Sequence, residues 1–171
     1  MTPQEIMQGC KATALHSPCQ KGKVGACIFG EWGDGTRFYG WCYSSPRSEP
    51  IFHANTLQRV EEWLPDLSGK KHKLICESGC LCGKAVHAEM KALDEYLWAE
   101  SEACGYRRLP RPDTVICYTT TFPCRKCLKE LIEHGVDRIV IGLGESAKEE
   151  ADSAALYQAL EEGLLEEVRF V

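Results

Sequence analysis

The sequence predicts an α/β domain, and two observations carry that expectation. From residue 114 onward, apolar runs alternate with segments of helical period in the order strand, helix, strand, helix, strand. That order lays largely parallel strands beneath crossover helices. Upstream, the apolar run Val24 to Phe29 and the run Arg37 to Trp41 flank a glycine-rich turn and read as a hairpin. A chain of 171 residues suits one domain with a real core. We therefore take 1–171 as a single unit carrying a cysteine-rich insertion at about 51–82.

Taken in order, residues 3–15 place Ile6, Met7, Cys10, Ala14 and Leu15 at helical spacing, and His16-Ser17-Pro18 ends the helix. The first strand follows at 24–29, the turn at Gly30 to Gly35, and the second strand at 37–41, with loop from 44 to 50. Leu57, Val60 and Leu64 share one face of a helix over 56–64 that Pro65 stops. Residues 66–86 are polar and rich in lysine and cysteine, a long loop of the kind that is functional or tied down. A helix over 89–98 turns Met90, Leu93 and Leu97 to the core. Then come a strand at 114–118, a helix at 124–134 closed by Gly135, a strand at 138–141, a helix at 151–162 and a strand at 168–171. There are no repeats and no low-complexity tracts.

Composition narrows the function classes. The chain is 44% hydrophobic and 26% charged, ordinary for a globular protein. No apolar run is long enough to span a bilayer, and MTPQEIMQGC has no apolar core of a signal peptide. Eleven cysteines, an odd number, recur at CxxC-type spacings, which fits reduced thiols and metal binding in a cytoplasmic setting better than disulfides. A net charge of −5 argues against a general affinity for phosphate backbones.

The chemistry concentrates in His87-Ala88-Glu89 and Pro123-Cys124-Arg125-Lys126-Cys127. One imidazole and two thiolates, from His87, Cys124 and Cys127, make a three-ligand zinc set that leaves the fourth tetrahedral position to water. His87 opens one helix and the two cysteines sit in the first turn of another. Both positive helix ends then point at the metal, where they favour thiolate and developing negative charge. Pro123 stands where a helix can begin without losing a needed donor. Glu89 is not needed as a ligand, so it can carry protons. Zinc in such a site brings the pKa of its water toward neutrality. The competing reading is a closed structural zinc site, which needs four protein ligands and neither Glu89 nor Pro123.

His-x-Glu followed by Pro-Cys-x-x-Cys is the signature of zinc deaminases of nucleobases, and the resemblance extends beyond it. Ser17-Pro18-Cys19 with Lys23 to Ile28, Val86 to Leu93, Tyr118 to Cys124 and Leu131 to Val140 resemble, in order, the cytidine and deoxycytidylate deaminase family. The likeness is best to its deoxycytidylate branch. It implies a three-layer α/β/α sandwich with a five-stranded mixed sheet, release of ammonia from ring carbon 4 of a cytosine nucleotide, and a homo-oligomer. It also implies that Ala88 gives backbone hydrogen bonds to the base.

The chain departs from that family at Cys42, which falls where an Asn contacts the sugar; Tyr43 or Ser44 stands beside it as a substitute. A thiol is a poor hydrogen-bonding group beside an amide. The segment 51–73 is longer than the family pattern, and its His53-Ala54-Asn55 lacks the glutamate of the catalytic triplet. Cys76, Cys80 and Cys82 crowd the approach to His87, and Cys19 falls where relatives place a ligand of a second zinc. The resemblance thus implies a closed, structural Cys₄ zinc, with Cys42 able to replace one ligand; the bland alternative is small buried residues. Cys10, Cys27, Cys104 and Cys117 read as core cysteines.

Lys21, Lys23, Arg47, Arg125 and Lys126 are the basic groups nearest the pocket in sequence. Arg125, at a helix start, is the candidate for the substrate's anion, which favours a phosphorylated nucleotide such as dCMP. Two other readings stay open. A deaminase of tRNA or single-stranded DNA would use Trp32, Phe38, Tyr39, Trp41 and Tyr43 to grip flanking nucleotides. A zinc-stapled binding domain without catalysis would have no use for Glu89.

Overall fold

The computed structural model describes residues 1–17, 23–46, 85–103, 111–142 and 150–171. The expected helix at 56–64, His53, Lys21, Arg47, Cys104 and the four cysteines of the second zinc set, Cys19, Cys76, Cys80 and Cys82, lie outside the described residues.

Helix α1, Pro3–Ala14, starts where its sequence says it should. Thr2 and Glu5 exchange reciprocal hydrogen bonds between side chain and backbone, and Pro3 fills the first helical position. Ile6, Met7, Cys10 and Ala14 are buried as the spacing predicts, whereas Leu15 caps the helix and is exposed. Strands β1, Gly25–Glu31, and β2, Arg37–Tyr43, form the expected antiparallel hairpin. Its turn is shorter than the reading at 30–35, since Gly30 and Glu31 pair with Phe38 and Arg37.

Just after this hairpin, inside the expected loop at 44–50, two residues form a further strand. Ser45–Pro46 (β3) pairs antiparallel with Ala85–Val86 (β4), so the end of β2 is tied to the residues just before His87. Helix α2, Ala88–Ala103, follows. Strand β5, Thr114–Thr119, helix α3, Arg125–Glu133, strand β6, Arg138–Ile141, helix α4, Glu150–Glu161, and strand β7, Glu167–Phe170, complete the described elements.

The main sheet runs β2-β1-β5-β6-β7. β5, β6 and β7 are parallel, but β1 lies antiparallel to both β2 and β5, so the sheet is mixed. Helices cover both faces. Against α1 lie Cys27, Phe29, Tyr118 and Val140 with Ile6, Met7 and Cys10. The other face packs Ala26, Ile28, Val115, Cys117 and Ile139 against Ala92 and Leu93 of α2, Leu128 and Leu131 of α3, and Leu156 of α4. The alternation along β1 and β5 is the period of two that sends neighbouring side chains to opposite layers. This is the three-layer α/β/α sandwich with a five-stranded mixed sheet that the family resemblance implies.

Close approach sets the helix positions. A Cβ on Gly40 would overlap the carbonyl oxygen of Ala92, and one on Gly25 would overlap that of Cys10. Thus α2 crosses directly over β2 and α1 over β1. The phase of α2 follows from that crossing and differs from the reading. Ala88, Ala92, Leu93 and Tyr96 are buried, Met90 is only half-buried, and Leu97 is exposed at 36%. Gly135, at a φ of +82°, turns the chain out of α3 as its position predicts. Among the described residues no helix is long and apolar enough to cross a membrane.

Candidate active site

The site lies at the carboxyl end of β5, where an open α/β sheet keeps its ligand crevice. Thr119 ends β5, and five residues later Cys124 caps α3. The Cys124 sulfur, in an extended backbone conformation, accepts a hydrogen bond from the amide of Cys127 at 3.5 Å. It takes the place that Ser or Asp fills at ordinary helix starts. Cys127 is three residues on and so faces the same way. His87 immediately precedes α2, and its carbonyl accepts from the Lys91 amide.

The two helix starts bring three donors together. His87 Nδ1 lies 3.3 Å from the Cys127 sulfur and 3.5 Å from that of Cys124. The three ligand atoms lie within 4.8 Å of one another. Tetrahedral zinc, with ordinary bond lengths to sulfur and nitrogen, sets a sulfur–nitrogen edge of about 3.6 Å, so the donor set fits the ion in spacing as well as in kind. Among the described residues no fourth His, Cys, Asp or Glu joins the group.

Electrostatics separates the two thiols. Cys124 is held down to about 3 by the hydrogen bond from Cys127 and then by His87. Cys127, which donates that bond and is more deeply buried, is pushed up. The hydrogen bonding thus favours the thiolate at Cys124 over one at Cys127, and metal binding displaces protons from its thiol ligands.

Glu89 is 3% exposed and stands outside the donor group. Burial pushes its carboxyl above the ordinary range, against the opposing pull of its own backbone amide and His87. The Thr119 hydroxyl donates to Glu89 Oε1 at 3.4 Å. Thr119 is a functional candidate that the motifs alone do not single out. Its signal was available in the alternation of β5, which puts residues 115, 117 and 119 on the face under α2.

The remaining candidates fall in two groups. Ala88 is fully buried at the start of α2. Cys42 and Tyr43 are buried at the end of β2 beside it. Burial pushes the Cys42 thiol up, opposed by the ammonium of Lys91, whose Nζ lies 4.8 Å from the centroid of the Tyr43 ring. Lys91 itself is buried, which the reading did not foresee. Arg125 and Lys126, by contrast, are exposed on the first turn of α3.

The mixed sheet thus carries, at the carboxyl end of β5, three side chains that could together hold a metal ion, with a buried carboxylate nearby. The model of the cytidine and deoxycytidylate deaminase zinc-binding region matches residues 1–143, and the chain belongs to that family. The dCMP deaminase from the cyanophage S-TIM5 has a similar fold. In its apo form the TM-score is 0.52 at 18% identity, over 99% of this chain and 96% of that one. In complex with dCMP and dUMP the TM-score is 0.56 at 18% identity, over 100% and 99%. No curated protein matches the chain.

Proposed function

We propose that the protein is a zinc-dependent hydrolase that deaminates a cytosine nucleotide, most simply dCMP to dUMP with release of ammonia. The observation that carries this reading is the separation of roles in the site: three donors gathered within 4.8 Å and a buried Glu89 outside them. In this reading His87, Cys124 and Cys127 hold the ion. When bound, zinc supplies a water acidic enough to serve as nucleophile near neutral pH.

The chain's own groups do the rest. Glu89, which is buried, takes up a proton at a carboxylate oxygen and gives it to the ring nitrogen. It then takes up a second proton, from the hydroxyl added at carbon 4, and gives that one to the departing amine. The start of α2, at Ala88, offers backbone groups to the base. Cys42 and Tyr43 lie at the sugar end, and Arg125 on the first turn of α3 supplies charge for a phosphate. The family membership and a similar fold that binds dCMP and dUMP support this choice of substrate.

The aromatic residues weigh against a nucleic-acid substrate. Trp32 and Tyr43 are buried, Phe38 packs edge-on against Trp32, Tyr39 packs on Phe29, and Trp41 fills the space over Gly9. They serve the sheet rather than forming a stacking platform. A second, structural zinc on Cys19, Cys76, Cys80 and Cys82 belongs to the same proposal and rests on spacing and resemblance. Metal analysis tests it: two zinc ions per chain are expected, falling to one in Cys76→Ser.

The function is tested by ammonia release from dCMP, dCTP, CMP, cytidine, cytosine, adenosine and a single-stranded oligonucleotide, with Glu89→Ala as the blank. Turnover confined to a phosphorylated cytosine and lost in the variant is the expected result. Turnover on the oligonucleotide alone would replace the substrate, and silence throughout would remove the enzyme.

A further inference from the structure

We infer that Thr119 is the positioning residue for Glu89, fixing which carboxylate oxygen is left to carry the proton. The inference rests on the reading of Glu89 given above and deepens it.

Three observations carry it. First, Thr119 is fully buried, and its hydroxyl is the one side-chain donor to Glu89 among the described residues, at 3.4 Å from Oε1. A separation at the long end of the hydrogen-bond range is common before a catalytic site is loaded. Second, the backbone of Thr119 is pinned on both sides, paired with Ala26 of β1 and with Ile141 of β6. A side chain on a central strand held by two ladders is a rigid support for a functional group. Third, the next residue puts its hydroxyl to a different use. Thr120 Oγ1 accepts from the Gly25 amide at 3.1 Å and staples the start of β1. Adjacent hydroxyls thus serve the backbone and the carboxylate separately.

The chemistry follows from the hydrogen-bond inventory. An ionised carboxylate accepts at both oxygens, and a protonated one donates from only one. With the Thr119 hydroxyl on Oε1, Oε2 is the oxygen that takes up and gives back the proton. Without the hydroxyl the carboxylate can rotate, and the proton's position relative to the substrate is lost. Displacements of that size cost rate rather than affinity.

The test uses the zinc-loaded full chain with Thr119→Val, which keeps the shape and removes the hydroxyl, and Thr119→Ser, which keeps the hydroxyl. We expect kcat to fall roughly 10- to 100-fold in Thr119→Val at unchanged KM and zinc content, and Thr119→Ser to recover most of it. A second measurement needs no turnover. In the zinc-free protein the melting shifts of Thr119→Val and Glu89→Gln should be non-additive, because the two groups are in contact. Wild-type kcat in Thr119→Val, or additive melting shifts, would overturn the inference while a dead Glu89→Gln left the deaminase reading standing. A wild-type protein with no turnover on any of the seven substrates would instead remove that reading, and the positioning role with it.

Discussion

The two faces of the sheet use the same residue to opposite ends. Under α1, Cys10 and Cys27 are packing groups among Ile6, Met7, Phe29 and Tyr118. Burial pushes the Cys10 thiol up to about 12 and that of Cys27 well above its usual value. On the face under α2 and α3, Cys117 is just as buried and equally discouraged from ionising. One turn of chain beyond that strand, Cys124 sits at a helix start beside His87 and Cys127, and its thiol is held at about 3. The difference teaches that burial alone makes a thiol inert, and that a helix amide, an imidazole and a second thiol are what make it a ligand. The face under α1 packs the core; the end of the opposite face gathers the side chains of the proposed site.

The largest expected effect separates these faces by activity. Glu89→Ala should lower turnover by about 10²- to 10⁴-fold, while Cys10→Ala leaves turnover unchanged and shifts only the melting temperature. Steady-state ammonia release with a thermal melt on each variant checks both halves. A comparable loss of activity in Cys10→Ala would break the division of labour.

Next in size are the two glycines on which the helices rest. Gly25→Ala and Gly40→Ala each drive a Cβ into helix backbone. Overpacking of that kind costs about 1–3 kcal/mol, read as a drop of several degrees in melting temperature. Only Gly40→Ala should also weaken zinc retention, because α2 begins at the metal donors and α1 does not. Equal zinc loss in both variants would show that the faces are coupled more tightly than this account holds.

A third experiment reads the thiols directly. In zinc-stripped protein near neutral pH, Cys124 should react fast with a thiol reagent, and zinc should protect it. Cys10, Cys27 and Cys117 should react only as the protein unfolds, since a thiol titrating at about 12 is scarcely ionised there. Mass spectrometry of labelled peptides distinguishes them.

The last expected effect, confined to alkaline solution, is a pH dependence with a definite sign. The unfolded Cys10 thiol titrates near 9.0 and the folded one at about 12. Above pH 9 the unfolded state therefore binds fewer protons, and stability falls as pH rises toward 12. The slope is at most about 1.4 kcal/mol per pH unit for one group. Below pH 9 this contribution is complete and flat. Cys10→Ala should soften the alkaline decline in melting temperature.

What the sequence made legible follows the range of the interactions involved. The first helix, the stop at Gly135, the hairpin and the grouping of His87, Cys124 and Cys127 rest on residues near in sequence or on fixed spacing, and each was readable. The phase of α2 was not. Hydrophobicity pointed to Met90, Leu93 and Leu97, yet the contact of Gly40 with Ala92 and Tyr96 rotates Leu97 outward. A glycine receiving a helix leaves no apolar signature. The pairing of Ser45–Pro46 with Ala85–Val86 was hidden for a similar reason, because two-residue strands carry no period. Thr119 was missed because a threonine ending a strand looks like ordinary strand composition until its long-range partner is known.

The central claim is that His87, Cys124 and Cys127 hold the ion on which turnover depends. Ammonia release from dCMP, followed as zinc is returned to the stripped protein, tests it most directly. No activity without zinc, recovery as zinc is added, and no recovery in Cys124→Ala are expected. Full activity in the stripped protein, or recovery in Cys124→Ala equal to wild type, would contradict it.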